Sequence, residues 1–454
     1  MSVPTSARPP TPLTPTQRGQ RLATLLLTTD QWIDRRVESI RFLPTGESRR
    51  SISFDFTLRG HDAVPGSRDR VLVPLALISK GTLRRLDVAD ASGGALPVLR
   101  RGENARLAVD ALESLAEEAL EGRPGEDLEW VKSRIGDVVN GEPADARVTA
   151  SEVVGRLAEW HDALPADEDD RRFQLELLAW GIAEFTDKFW FVVEIPYERV
   201  DTRTIVKVSY DMAFDPPSRI GELPAVIDLD MPQMRVAKSV HLEVAAPEGL
   251  EISRLTLLEY WTPVEDEDDG EHAEVDPSGD GRMPGHLAHV ATYSRQPWSS
   301  DAQAWVELMP HRRGLVSVAA LGSLVGLALL TLPFMVTLAG ADWWGSVIGD
   351  GGRSGSVAAI LLAAPALLAA WFARPAEHAL VGLVLWRARR CLLATSSTLF
   401  VSAVLTATGA GWTLASVVGA LMFAVQLLVT IDAVSMASTV RGWTYSDVLG
   451  GSHG

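Results

Sequence analysis

The sequence predicts an α+β fold in which a β-rich region, an antiparallel sheet or sandwich with a helical insertion, precedes an all-α bundle of four transmembrane helices. Segments of alternating apolar and polar residues, typical of half-buried strands, occur before residue 100 and again after residue 188. The interval between them has helical spacing of its apolar residues. The last third of the chain contains four long apolar runs, which predict the bundle.

The first twenty residues are predicted to form a disordered tail. They are rich in proline and threonine and lack the continuous apolar core of a secretory signal. Residues 21–310 are predicted to form a soluble cytoplasmic region, with strands within 36–100 and 189–310 and helices within 103–187.

The strands are predicted from a two-residue period. The segment SISFDFTL, residues 51–58, places Ile52, Phe54, Phe56 and Leu58 on one face of a strand. Further strands are predicted at 70–78, 189–195, 204–214, 239–245, 250–261 and 286–293.

The helical insertion is predicted from apolar residues that recur every three or four positions. One helix covers LAVDALESLAEEAL, residues 107–120, and the next has Leu128, Val131 and Ile135 on one face. A later helix from about 167 to 185 begins with DEDD, and acidic residues are favourable at the positive end of the helix dipole.

Four apolar runs predict the transmembrane region, residues 311–440. At about 1.5 Å per residue, runs of this length match a hydrocarbon layer of about 30 Å. The four predicted spans are 314–339, 356–373, 391–409 and 412–434. The remaining residues, 441–454, are predicted to be a cytoplasmic tail.

The arginines predict the orientation of these spans. Lysine and arginine accumulate in short cytoplasmic segments of membrane proteins. Arginines precede the first span, occupy the second connection and follow the last span, which places all of these flanks on one side. The sequence therefore predicts a multi-pass protein of the cell membrane with both termini in the cytoplasm. The residues are Arg312, Arg313, Arg374, Arg387, Arg389, Arg390 and Arg441.

The segment between the second and third spans, residues 373–390, is predicted to be an interfacial helix. Leu380, Leu383, Val384 and Trp386 would lie on the inner leaflet, and the arginines that follow would contact lipid headgroups. The alternative is that this segment continues into the third span as one long helix.

Five polar residues within the spans are candidate functional positions: Gln426, Asp432, Thr398, Ser402 and Thr406. Asp432 is expected near cytoplasmic water, or paired with an arginine such as Arg374 or Arg390, or in an ion or proton path. Gln426 and a stripe of hydroxylated and small residues in the third span are expected to pack helices together, with a pore lining as the alternative. The stripe consists of Thr395, Thr398, Ser402, Thr406 and Gly409.

Charge and composition exclude several functions. The chain has 42 basic and 59 acidic residues and a net charge of −17, and the residues after 313 contain six arginines against five acids. The preceding region is therefore strongly acidic, so we expect no nucleic acid partner. Cys391 is the only cysteine, which excludes an intrachain disulfide and a cysteine-rich zinc site.

No catalytic, cofactor-binding or metal-binding residue is predicted. The chain has no phosphate-binding loop, dinucleotide fingerprint, nucleophile elbow or zinc-protease motif. Residues 276–281, DPSGDG, begin like a calcium loop, but Leu287 stands where the loop requires a bidentate glutamate. His286 and His289 would lie on opposite faces of a strand, which disfavours a shared zinc ion.

Three segments carry a family resemblance. They are VPLALISKGTLRRLDV, SVHLEVAAPEGLEI and ARPAEHAL. The chain resembles an uncharacterised family of four-span integral membrane proteins from high-GC Gram-positive bacteria. The resemblance implies a membrane location and no activity or site residues.

The leading functional hypothesis is a signalling or regulatory membrane protein. Its cytoplasmic domain would bind a cytosolic protein or small ligand and pass the bound state to the membrane helices. The alternatives are a gated pore or membrane-permeabilising effector, and a membrane-bound enzyme. Expected partners are the lipid bilayer and a second copy of the chain as a homo-oligomer.

Overall fold

The computed structural model describes residues 12–81, 83–165, 167–217, 219–231, 237–259, 273–275, 286–293, 302–338, 378–408 and 412–450. Within these ranges the chain is a mixed α/β protein with a large strand-rich domain and apolar helices at its C-terminal end. The strand-rich domain begins with α1 (Pro15–Leu27), α2 (Thr29–Trp32), β1 (Ile33–Phe42), β2 (Glu47–Phe56), β3 (Val64–Pro65), β4 (Arg70–Ser79) and β5 (Arg84–Asp90).

Four helices separate these strands from a second group. They are α3 (Arg101–Ala119), α4 (Gly125–Asn140), α5 (Pro143–Asp162) and α6 (Asp169–Asp187). The second group contains β6 (Lys188–Pro196), β7 (Thr204–Ala213), β8 (Ala225–Met231), β9 (Ser239–Ala245), β10 (Leu250–Glu259), β11 (Ala273–Val275), β12 (Leu287–Tyr293) and β13 (Ala302–Pro310). The C-terminal helices are α7 (Leu315–Leu338), α8 (Ala379–Val384), α9 (Trp386–Thr408) and α10 (Trp412–Gly450).

The largest sheet has six strands in the order β12-β9-β1-β2-β7-β5. Its pairs are antiparallel except β1 with β9, which are parallel with Arg35 opposite Ser239 and Arg41 opposite Ala245. The predicted sheet was antiparallel throughout, and this parallel pair joins segments about 200 residues apart. Inward residues such as Ile40, Phe54 and Val208 are buried in the core.

Two smaller sheets complete the domain, with orders β11-β10-β13-β8 and β3-β4-β6. Buried residues of both, for example Ile227, Val306 and Val193, belong to the same hydrophobic core as the large sheet. The inserted helices join this core through residues such as Leu112 and Leu178. The core is therefore continuous from the sheets to the helical insertion.

The N-terminal tail is shorter than predicted, because α1 begins at Pro15. Thr14 accepts a hydrogen bond from the backbone of Gln17, and the Gln17 side chain bonds back to the backbone of Thr14. Proline is suited to the first turn of a helix, where its missing N–H group costs no hydrogen bond. Leu22 and Leu25 then bury against the core, which holds the helix on the domain.

The prediction of a four-helix transmembrane bundle is wrong. In the part of the chain that the structure describes, one helix is long and apolar enough to cross a membrane, the 26 residues Ser416–Arg441 within α10. At about 1.5 Å per residue this helix is about 39 Å long, which exceeds a hydrocarbon layer of about 30 Å. The second predicted span, 356–373, lies outside the described residues.

The first and third predicted spans are not shown to cross a membrane, for different reasons. The first is helical as α7, Leu315–Leu338, but the stretch of it whose side chains the structure describes without a gap, Leu315–Thr331, is by itself shorter than a full crossing. In α9, three arginines lie in the first turns, and seven of the residues from Cys391 to Thr408 carry hydroxyl groups. The hydroxyl groups make the third predicted span, 391–409, less apolar than its length alone indicates. The predicted tail after residue 440 is also helical as far as Gly450.

Candidate functional site

The described C-terminal helices α7, α9 and α10 pack against one another around buried polar side chains. Gly326 of α7 permits the close approach of the other two helices. A Cβ atom at this position would lie 2.8 Å from the Thr395 Cγ2 atom and 3.0 Å from the Gln426 Nε2 atom. Both distances are shorter than normal van der Waals contact, so a larger residue at position 326 would push the helices apart.

Gln426 is the centre of this contact and is fully buried. Its Nε2 atom donates to the Ser323 carbonyl oxygen at 2.9 Å and to the Thr395 hydroxyl at 3.2 Å. Its Oε1 atom accepts from the Thr398 hydroxyl at 2.8 Å. One side chain thereby joins three helices with hydrogen bonds, as the helix-packing interpretation of this glutamine expects.

Two further hydroxyl groups extend the contact, which we call the polar seam (Ser323, Thr395, Thr398, Gln426 and Thr430). The Thr430 hydroxyl donates to the Ser323 carbonyl oxygen at 3.1 Å, and the Ser323 and Thr395 hydroxyls lie 3.2 Å apart. All five residues are buried. The seam therefore gives its buried polar side chains partners within the protein.

The remaining hydroxyl residues of the predicted stripe do not join the seam in the same way. Ser402 is half-buried and donates to the Thr398 carbonyl oxygen of its own helix at 2.9 Å. Thr406 lies in α9, but its side chain lies outside the described residues. The helical spacing of the stripe identified Thr395 and Thr398, but Ser323 and Thr430 were missed, because contacts between helices cannot be read from one helix.

Asp432 forms an ion pair with an arginine other than the two that the sequence suggested. Its Oδ1 atom lies 2.5 Å from Nη2 of Arg387, the first arginine of α9, and its Oδ2 atom is 3.4 Å from the Cys391 sulfur. The Arg387 and Asp432 side chains are 39% and 42% exposed, so solvent screens the pair. Arg374, one of the two suggested partners, lies outside the described residues.

The helix α8 joins the C-terminal helices to the strand-rich domain. Leu380 and Val384 belong to the core of that domain, and His378 caps the helix by accepting from the Leu380 amide at 3.2 Å. The Ala379 amide donates to the Pro44 carbonyl oxygen, in the turn between β1 and β2, at 3.3 Å. The apolar face that was predicted to lie on the inner leaflet therefore packs against protein.

A second packed contact links the same two regions at the start of α7. Met309, at the end of β13, belongs to one hydrophobic cluster with Val316 of α7, Leu392 of α9 and Val440 of α10. Four residues separate β13 from α7. The domain and the helices thus share a continuous interface.

A buried charge network lies inside the strand-rich domain, between the large sheet and β8. Glu38 is fully buried and accepts from Arg36 at 2.7 Å and from Arg50 at 3.2 Å. Arg50 also donates to the Asp230 carbonyl oxygen of β8 at 2.6 Å. Burial raises the pKa of the neighbouring Tyr210, so its phenol stays neutral. The network ties two sheets together.

These charged residues were missed in the sequence, although a signal was present. Arg36 and Glu38 have the same two-residue parity as Ile40 and Phe42 in β1, and Arg50 has the parity of Ile52 in β2. Charged residues on the apolar side of a strand predict a buried ion pair.

Of the two histidines considered as zinc ligands, His286 and His289, the second lies beside another histidine of the sheet. His289 lies on the outer face of the large sheet, where its Nε2 atom is 3.1 Å from Nδ1 of His241 on β9. His272 and residues 276–281 lie outside the described residues. Among the residues that the structure describes, no group of three or more His, Cys, Asp or Glu side chains could hold a metal ion.

Comparison with known proteins identifies no family. Neither a family model nor a curated protein matches the chain. One solved structure with a distant similarity is a Parabacteroides distasonis protein provisionally named a protease, with 11% sequence identity and a TM-score of 0.20. The match covers 82% of this chain, and the chain spans 58% of that structure. The similarity is too low to carry an argument about fold or activity.

Proposed function

We propose that the protein is a regulatory or signalling protein of the cell membrane. Its C-terminal helices would lie in the bilayer, and its strand-rich domain would bind a cytosolic protein or a small ligand. The distribution of polar and apolar side chains on α7, α9 and α10 is the observation that carries this proposal.

Many exposed residues on these helices are apolar, while the polar residues of the seam are buried. Leu321 is 65% exposed, Leu428 68% and Val417 70%, whereas Gln426 and Thr395 are fully buried. A water-soluble helix assembly has the opposite arrangement, with apolar residues inside and polar residues outside. Lipid explains the apolar surface, because hydrocarbon does not penalise exposed leucine and favours polar groups that bond to one another.

The proposed topology follows from the ends of the helices. The hydrophobic cluster that contains Met309 brings the start of α7, the start of α9 and the later part of α10 to the end next to the strand-rich domain. Because arginines flank the helices at this end, we place it in the cytoplasm, in a multi-pass arrangement with both chain termini on that side. The acidic domain would then lie away from the external surface.

Regulation is supported by the rigid connection between domain and helices. Leu380 and Val384 are packed in the core of the domain, and two residues after Val384 the chain enters α9. A ligand that moves the β1–β2 turn would therefore move α9, whose Arg387 forms the ion pair with Asp432. A flexible tether would not transmit such a change.

The pore and enzyme hypotheses stay predictions. The amide nitrogen and oxygen of Gln426 form hydrogen bonds within the polar seam, and these contacts favour helix packing over an ion path. No described cluster of side chains favours an enzyme over a binding protein. The family resemblance to membrane proteins of high-GC Gram-positive bacteria is consistent with the proposal, and homo-oligomerisation remains part of it.

The topology is tested with the full chain carrying a peptide tag at either terminus. In intact cells, neither tag should react with an antibody or protease added outside, and both should react after the membrane is opened. Labelling of the N-terminal tag from outside intact cells would contradict the cytoplasmic placement.

The regulatory part is tested by stabilisation. The full chain in lipid nanodiscs is screened by thermal unfolding against a library of cytosolic metabolites, with each hit repeated on Leu380→Ala. We expect a ligand that stabilises the protein and changes the hydrogen exchange of α9 only when Leu380 is present. A ligand that stabilises both proteins but leaves α9 unchanged in the parent chain would contradict coupling between domain and helices.

A further inference from the structure

Exposed arginines surround the cytoplasmic end of the apolar helices. Arg312 and Arg313 precede α7 and are exposed, and Arg390 of α9 is exposed while Arg389 is half-buried. The hydrophobic cluster described above brings these positions to one end of the helices, since it contains Val316, Ala388 and Cys391, their near neighbours. We call these four residues the arginine collar.

The collar differs from Arg387, which lies at the same end of the helices. Arg387 is paired with Asp432. Within the described ranges, no acidic side chain forms an ion pair with Arg312, Arg313, Arg389 or Arg390. This is unusual in a chain with 59 acidic residues and a net charge of −17. Arginines at the same end of the helices repel one another, so an anion bound there would stabilise the arrangement.

The collar adjoins the apolar surface, which indicates what kind of anion it meets. Trp386 is 46% exposed beside Arg387, and Leu393 is 48% exposed on the next turns of α9. Exposed tryptophan and arginine side chains at the end of an apolar helix are typical of the boundary between hydrocarbon and headgroups. The guanidinium group forms paired hydrogen bonds with phosphate oxygens, which a membrane supplies at this depth.

We propose that the arginine collar binds the phosphate headgroups of anionic phospholipids in the inner leaflet. This proposal rests on the membrane location proposed above. It specifies anionic lipids as the class that is bound, because zwitterionic phospholipid carries no net charge to balance the arginines of the collar. The acidic strand-rich domain is repelled by the same leaflet, so the collar would fix the distance of the domain from the membrane.

The test uses the full chain in nanodiscs made of phosphatidylcholine alone or mixed with phosphatidylglycerol. Thermal unfolding is measured for the parent chain, for the variant Arg312→Gln with Arg313→Gln, and for the variant Arg389→Gln with Arg390→Gln. A matched control carries Arg59→Gln and Arg147→Gln, two exposed arginines of the strand-rich domain. We expect phosphatidylglycerol to raise the midpoint temperature of the parent and the control, and to raise it much less in both collar variants.

Salt and free phosphate give two further outcomes. Because the contact is electrostatic, high salt should reduce the advantage of phosphatidylglycerol in the parent chain. Inorganic phosphate added to phosphatidylcholine nanodiscs should not reproduce the stabilisation that phosphatidylglycerol gives. Full reproduction would assign the collar to a soluble phosphate compound and overturn the lipid proposal. An equal response to phosphatidylglycerol in parent and collar variants would also overturn it. Recovery of the chain in the aqueous fraction, without incorporation, would overturn both this proposal and the proposed function.

Discussion

At the scale of single residues, Gln426 has the most specific role. Its amide makes three hydrogen bonds that connect α10 to α7 and α9. The long apolar run around it made the glutamine visible in the sequence. Its partners were not visible, because they lie 28, 31 and 103 positions away along the chain.

Replacing Gln426 with leucine should weaken the helix assembly. The change removes all three hydrogen bonds and leaves buried hydroxyl groups with fewer partners, a cost of about 1–2 kcal/mol in a membrane environment. The free energy of unfolding, measured by titration with a denaturing detergent, checks this value. Thr408→Val is the matched control, since Thr408 is exposed and bonds only within its own helix. An unchanged unfolding free energy for Gln426→Leu would exclude a packing role.

The pair His241 and His289 makes stability depend on pH. Burial, the neighbouring His289 and Arg35 lower the pKa of His241 below its usual value near 6.5, and Glu243 opposes them. The folded state therefore favours the neutral ring, so the unfolded chain binds more protons as pH falls below about 6.5. The stabilising contribution is present above that pH and is lost as pH falls through the lowered pKa.

His241→Gln should accordingly reduce the loss of unfolding free energy between pH 7 and pH 5. The measurement is chemical unfolding of the full chain in detergent at both pH values, compared with His61→Gln, which alters an exposed loop histidine. If His241→Gln and the parent chain lose the same free energy, the neutral ring does not contribute to stability.

At the scale of elements, the sequence predicts strands best where the alternation is local. The strand predicted at 239–245 has the bounds of β9, and that at 70–78 is β4 to within one residue. The strand β8 also alternates, with Ile227 and Leu229 buried and Asp228 exposed, but it was missed because it follows a proline-containing segment. The parallel pairing of β1 with β9 is not encoded in either segment alone.

The helix α8 shows the same limit of prediction from sequence, at the connection between the strand-rich domain and the C-terminal helices. The spacing of Leu380 and Val384 correctly predicts an apolar helix face. It does not say what covers the face, because lipid and protein bury leucine equally well. The third predicted span was misjudged for a related reason, since the length of an apolar run does not take account of the hydroxyl side chains within it.

Leu380→Ala should loosen both regions that meet at α8. Removing a fully buried leucine from a core typically costs about 2–5 kcal/mol, and here the leucine belongs to the core of the strand-rich domain. We expect faster hydrogen exchange in the β1–β2 turn and in the first turns of α9. Leu383→Ala is the control, because Leu383 is only half-buried. Faster exchange in the turn alone would show that the domain and the helices move independently.

At the scale of the whole molecule, the chain joins two regions whose surfaces have opposite polarity. The strand-rich domain buries its apolar residues and carries most of the acidic side chains, whereas the C-terminal helices expose many apolar residues and bury the polar seam. The first arrangement suits water and the second suits lipid. The acidic composition and the arginine flanks were visible in the sequence, but the inverted packing became visible only when the helices were seen together.

The central claim, that the C-terminal helices lie in a bilayer, is tested most directly by extraction of cell membranes. Membranes from cells that produce the full chain are washed with alkaline carbonate, which removes proteins held only at the surface. We predict that the intact chain stays in the membrane pellet and dissolves only in detergent. Recovery of the intact, folded chain in the aqueous wash without detergent would contradict the account.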